Sequence, residues 1–60
     1  MMLSVNMFDA RKLENLIDNN EYLQRVLEFN NGRWYINTDE FSEIERLLNK
    51  NRIRYKIKQI

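Results

Sequence analysis

The residues best placed to do chemistry are four cations at alternate positions near the C-terminus, Arg52, Arg54, Lys56 and Lys58, with Ile53, Tyr55 and Ile57 between them. Successive side chains of an extended strand point to opposite faces, so this spacing sets the charges on one side and the apolar residues on the other. If the apolar side meets helices, the cations line the open face of a sheet. By the same parity Arg25, Arg33 and Tyr35 join them from neighbouring strands. The chemistry of such a face is electrostatic and stacking: sheet-face modules hold single-stranded nucleic acid with phosphates on the cations and bases on the rings. Alternating Lys/Arg also has a plainer use, since charges on an edge strand keep it from pairing with another sheet. Sequence alone leaves both uses open.

Other chemistry has little to stand on. The chain contains no Cys and no His, which removes disulfides, thiolate nucleophiles, Ser-His or Cys-His pairs and ordinary zinc sites. Ser4 and Ser42 have no base near them in the sequence and sit inside predicted elements rather than at a strained turn. Asp39, Glu40 and Glu43 form a small acidic cluster, better explained by the helix dipole than by a weakly held divalent cation. The expectation is a non-enzymatic protein with no cofactor and no metal.

These groups must be positioned by very little chain. Sixty residues, 43% apolar and 32% charged, make one globular domain over 1–60. A domain of that size buries only about 60% of the surface its unfolded chain exposes. Without disulfides or zinc, its stability must come from packing, self-association or a partner. Ten Lys/Arg against nine Asp/Glu give a net charge of +1, so total charge selects no partner. The apolar N-terminus lacks a basic leader and a cleavage site, and Asp9, Arg11 and Lys12 come directly after it. It therefore reads as neither a signal peptide nor a membrane span, and a cytoplasmic protein with no membrane contact is expected.

A shift of 31 residues brings the two halves, about 1–29 and 32–60, into register: Asn6 with Asn37, Glu14 with Glu45, Leu16 with Leu47 and Asn20 with Asn51. Each half reads as strand, helix, strand. In the second, Arg33–Asn37 is aromatic and β-branched, and Thr38 stands where an N-cap belongs, with Asp39 and Glu40 in the first turn. Phe41, Ile44, Leu47 and Leu48 form a helical stripe, Asn49 and Asn51 suit a left-handed stop, and Arg52–Lys58 alternates strictly. In the first half Leu3, Val5 and Met7 alternate, Asp9 is a candidate cap, and Ala10, Leu13, Leu16 and Ile17 form the stripe. Asn30-Asn31-Gly32 reads as a hairpin turn. Residues 21–29 fit two patterns; the repeat favours a strand, and the alternative is a helix continuing the Leu13, Leu16, Leu23, Leu27 spacing.

The order β-α-β-β-α-β predicts a minimal ferredoxin-like α+β sandwich, two helices on one face of a four-stranded antiparallel sheet. A helical 21–29 would give three helices and three strands instead. No named family emerges: the aromatic RNA-binding signature of RRM domains, the paired cysteines of metallochaperones and a glycine-rich phosphate loop are all absent.

With 21–29 as a strand, Leu23, Leu27 and Phe29 fall on the open face beside the cations, and an apolar cluster rimmed by charge marks a protein interface. The alternative is a slip or bulge that returns Leu23 and Leu27 to the core. The expected function is a small protein-interaction module that masks a surface on a larger protein, as short cysteine-free inhibitors of phage and mobile elements do, an analogy of size and composition. Its expected contact residues are Leu23, Arg25, Leu27, Arg33, Tyr35, Arg54 and Lys56, and the same face would serve a homodimer. The alternative is a nucleic-acid-binding protein using Arg52, Arg54, Lys56 and Lys58 for phosphates and Tyr35 for stacking.

Overall fold

The computed structural model describes residues 1–59. Among these, the elements are β1 (Met2–Val5), α1 (Ala10–Asp18), α2 (Glu21–Val26), β2 (Leu27–Asn30), β3 (Arg33–Ile36), α3 (Ser42–Lys50) and β4 (Tyr55–Lys58), with a 3-10 turn at Met7–Asp9. The sheet is antiparallel, in the order β2-β3-β1-β4. Each strand–helix–strand unit brackets one strand of the other: β3 lies between β1 and β2, and β1 between β3 and β4. That is the interleaving of a small ferredoxin-like α+β fold, here with one additional short helix.

Register fixes which side chains share a face. Phe29 lies opposite Trp34, Trp34 opposite Leu3, and Leu3 opposite Ile57. Leu27 opposite Ile36 and Val5 opposite Tyr55 belong to the same face, because side chains repeat with a period of two. Leu3, Leu27 and Ile36 from this face pack with Leu13 and Ile17 of α1, Leu23 of α2 and Ile44, Leu47 and Leu48 of α3 into one core. The helical stripes expected around Leu13 and Ile44 therefore face the sheet. Between β2 and β3, Asn31 (φ 53°) and Gly32 (φ 76°) both take positive φ. This is the two-residue turn whose twist matches that of the flanking strands.

Residues 21–29 are neither one strand nor one helix: α2 occupies 21–26 and β2 begins at Leu27. Three local groups favour the helix. The Asn20 side chain accepts a hydrogen bond from the Leu23 N–H at 3.0 Å, Glu21 sits in the first turn and Arg25 in the last. Gln24 then donates from Nε2 to the carbonyls of Ile17 and Asp18, at 3.0 and 3.2 Å, which ties α2 to the end of α1. Three further boundaries move. Thr38 does not cap α3; its hydroxyl accepts from the Glu40 N–H at 3.1 Å, and the helix starts at Ser42. Met7 belongs to a turn rather than to β1, because the Asn6 side chain accepts the Phe8 N–H and curls the chain. Arg52, at φ 57°, takes the left-handed conformation expected of Asn49 or Asn51, and β4 therefore begins only at Tyr55.

Candidate functional site: a basic sheet face and an apolar sheet end

The face of the sheet turned away from the helices carries Arg33 and Tyr35 from β3, Lys56 and Lys58 from β4, Met2 and Ser4 from β1, and Glu28 and Asn30 from β2. The pairs Met2–Tyr35, Met2–Lys58, Ser4–Lys56, Glu28–Tyr35 and Asn30–Arg33 place them there. Tyr35 is half-buried at the centre, while the three cations are exposed. This face holds three of the ten cations and one of the nine acids, so a chain of net charge +1 presents a basic side. Arg33, Lys56 and Lys58 make no ion pair among the described residues.

The other expected contact residues lie elsewhere. Leu23 sits on α2 with 0% of its surface exposed and Leu27 is likewise buried, because a helix start at Asn20 turns both toward the core. They add no apolar surface to the open face, which corrects the cluster expected there. Arg25 belongs to α2 rather than to the sheet. Arg52 stands in the turn after α3, where it shares a shallow depression with Asn49 and Tyr55.

Arg54 is held at the end of the sheet by Asp9, the one buried charged residue among those described, 3% exposed. The Asp9 carboxylate accepts three bonds from Arg54: from the backbone N–H at 3.0 Å, Nε at 2.9 Å and Nη2 at 3.4 Å. Lys12 Nζ lies 3.7 Å away. These donors, the Arg54 side chain foremost, hold the Asp9 carboxyl at about 2, below its ordinary 3.8. Asp9 thus caps no helix N–H; it joins the β1–α1 turn to the start of β4. Tyr55, next along, is raised by burial and by donating to Glu45 at 3.1 Å. Among the described residues, Asp39, Glu40 and Glu43 belong to no group of ligands able to hold a metal ion.

A second surface, without counterpart in the expected contacts, lies where β1 ends and the β2–β3 hairpin turns. The β1–β3 ladder runs through Met2–Tyr35 and Leu3–Trp34 and goes no further. Beyond it a notch of about 380 Å³ opens among Leu3, Val5, Ala10, Leu13, Phe29 and Trp34, with Glu14 and Arg33 also on its walls. Phe29 packs on Trp34 with ring centroids 4.9 Å apart and planes tilted by 55°, a favoured aromatic geometry. Between Val5 and Ala10 the chain forms the turn that carries Met7 and Phe8, which are 80% and 78% exposed; Phe29 is 58% exposed. The sequence did hold a signal for this: Met7-Phe8 are adjacent apolar residues between Asn6 and Asp9, and no alternating strand buries both.

No family model matches the chain, and no curated protein or solved structure does either. Function therefore rests on these two surfaces. Among the described residues no helix is long and apolar enough to cross a membrane.

Proposed function

We propose that the chain is a small, non-enzymatic, cytoplasmic protein-interaction module that works by covering an apolar surface on another protein. One observation carries this: Met7, Phe8 and Phe29 stand exposed, Phe29 on the wall of a largely apolar notch and Met7 and Phe8 on the turn between Val5 and Ala10, which also line it. Leaving a side chain of that size in water forgoes about 1.5–3 kcal/mol of burial energy. In a domain of marginal stability such residues are explained by what they contact in a complex. The contact is steric and apolar, with aromatic anchors. Masking of a larger host protein by a phage or mobile-element inhibitor is one form of this action, supported by size and composition.

A second reading, nucleic-acid binding on the open face, is favoured by the sorting of charge. Lys56 and Lys58 lie on the edge strand β4 and have an explanation as edge protection. Arg33 lies on the interior strand β3, beside Tyr35, where edge protection does not apply. Three phosphate contacts on a single strand predict log K falling with log salt at a slope of about 2.

One pair of variants separates the readings. Phe8→Asp should abolish capture of a protein partner and leave oligonucleotide anisotropy unchanged. Lys56→Glu with Lys58→Glu should do the reverse. If partner capture survives Phe8→Asp and fails in the lysine double variant, the contact is the sheet face and the apolar end is not the site.

A further inference from the structure

We propose that the apolar end of the sheet is the interface of a two-fold symmetric homodimer, in which the Met7–Phe8 turn of each copy seats in the notch of the other. This rests on the protein-interaction reading above and names the occupant of that surface as a second copy of this chain.

Symmetry supports this first. A two-fold interface uses one patch on both subunits, so the patch must carry a projection and a hollow that fit each other. Here they adjoin. The turn bearing Met7 and Phe8 leaves Val5 and rejoins the chain at Ala10, and both of those residues line the notch. At about 380 Å³ the notch lies at the small end of cavities that enclose ligands, about 300–1,000 Å³, a size suited to one or two large side chains. The turn is also preset: the Asn6 side chain accepts the Phe8 N–H at 2.9 Å, and the Asp9 N–H donates to the Asn6 carbonyl at 2.8 Å. Seating it therefore orders little new chain.

Charge points the same way. Glu14 and Arg33 are the two charged residues on the notch walls, and neither has an ion-pair partner among the described residues. A patch with one acid and one base is complementary to its own copy, whereas the basic sheet face would repel itself.

Most of the area such an interface needs is available. A stable interface buries roughly 800 Å² per partner, against 4567 Å² exposed by the whole chain. Aromatic side chains bury about 150–250 Å² each. Phe8 and Phe29, with Met7 and the notch walls, supply most of what is needed. The gain is large for a chain this short, since a second copy extends the core that its own length limits. Any larger partner would have to displace that copy.

The test is sedimentation velocity on the full chain across a concentration series, with oligonucleotide absent. The wild type should sediment with the mass of two chains at high concentration and dissociate on dilution. Phe8→Asp, which alters the projection, and Ala10→Arg, which fills the hollow, should each weaken self-association at least about tenfold. Mixing the two variants should partly restore it, because the intact Phe8 of one meets the intact notch of the other. In a sample mixing labelled and unlabelled wild-type chains, intermolecular nuclear Overhauser effects should connect the Phe8 ring with Trp34, a readout that needs no variant to fold. A wild type that stays monomeric throughout, or a dimer indifferent to both substitutions, overturns the proposal. In the first case the broader protein-interaction reading still stands or falls on partner capture by Phe8→Asp.

Discussion

The two halves of the chain return from a helix to the same sheet by different routes, and the difference sits in a single backbone conformation. After α3, Asn51 keeps near-helical angles and Arg52 turns left-handed at φ 57°. The Arg52 N–H then donates to the Asn49 carbonyl and the Ile53 N–H to the Leu48 carbonyl, at 3.1 and 2.9 Å. That is the Schellman arrangement, with its apolar pair formed by Leu48 and Ile53, and it delivers the chain into β4 within four residues. After α1, Asn19 keeps near-helical angles, but Asn20 becomes extended at φ −141°, ψ 107°. Its side chain then caps a new helix, and eight residues separate the end of α1 from the start of β2. The structural parallel to Ile53 is Leu23, the apolar residue each route drops into the core behind the helix. Asn20 and Asn51 occupy the same repeat position, so the residue type there does not decide the route. The residues C-terminal to it do.

The same contrast appears at the other end of the helices. Asp9 and Glu40 correspond under the 31-residue shift. Asp9 is buried and bound to Arg54, whereas Glu40 stays exposed and accepts the Ser42 hydroxyl at 2.8 Å. One link between the halves is therefore ionic and one-sided: an acid of the first half holds a base of the second.

The hardest blow to the comparison would come from the two plugs. Leu23→Ala and Ile53→Ala should each cost about 2–5 kcal/mol in urea unfolding, the range for truncating a fully buried aliphatic side chain. Near-equal losses mean that α2, for all its shortness, does for the first half what the Schellman turn does for the second. A loss under about 1 kcal/mol for Leu23→Ala alone would mean that α2 is an appendage. Leu23→Asp should unfold the domain outright, since it buries a charge with no partner.

What the sequence disclosed and what it hid divide along the range of the deciding interaction. The alternation of Tyr55-Lys56-Ile57-Lys58, the Asn31-Gly32 turn and the Leu13–Ile17 and Ile44–Leu48 stripes are set within a few residues, and all are legible. Leu13, Leu16, Leu23 and Leu27 fit helical spacing, while Leu23, Leu27 and Phe29 fit a strand, so the pattern alone does not choose; the residues after Asn20, which let its side chain cap a new helix, do. Arg54 has the parity of a sheet-face cation, yet a carboxylate 45 residues earlier in the chain binds its backbone and side chain. The apolar end is hidden for a related reason: Phe29 and Trp34 come from one hairpin, whereas Val5 and Ala10 lie far from it in sequence, so the notch exists only once strand order is known. Of the expected contact residues, Arg33, Tyr35, Lys56 and Lys58 share a face because parity within formed strands is all they needed.

The ionic link is sharpened by pH. The folded-state Asp9 value of about 2 lies below its ordinary 3.8, so Asp9 favours the folded state wherever it is ionised. That contribution is complete above about pH 4 and disappears as pH falls toward 2. The urea midpoint of the wild type should drop across this window, and Asp9→Asn should show a lower midpoint at neutral pH with a shallower acid decline. A wild type and Asp9→Asn variant with parallel profiles would remove the ionic asymmetry between the halves.

The smallest effects test the routes themselves. Asn20→Ala removes a side-chain cap and should cost about 1 kcal/mol, with amide exchange quickening first at Leu23, whose N–H loses its acceptor. Arg52→Gly acts in the opposite direction. A non-glycine residue in the left-handed region carries a steric cost that glycine lacks, and the Schellman position is where glycine is most often found. The substitution should stabilise by about 0.5–1 kcal/mol, read as a higher urea midpoint with unchanged slope. Because Arg52 makes no ion pair among the described residues, little offsets that gain. It also removes one cation from outside the sheet face, so oligonucleotide affinity should stay constant if Arg33, Lys56 and Lys58 are the phosphate contacts. A gain in stability with a loss of nucleic-acid affinity would place Arg52 back among the binding residues and extend the basic face past the start of β4.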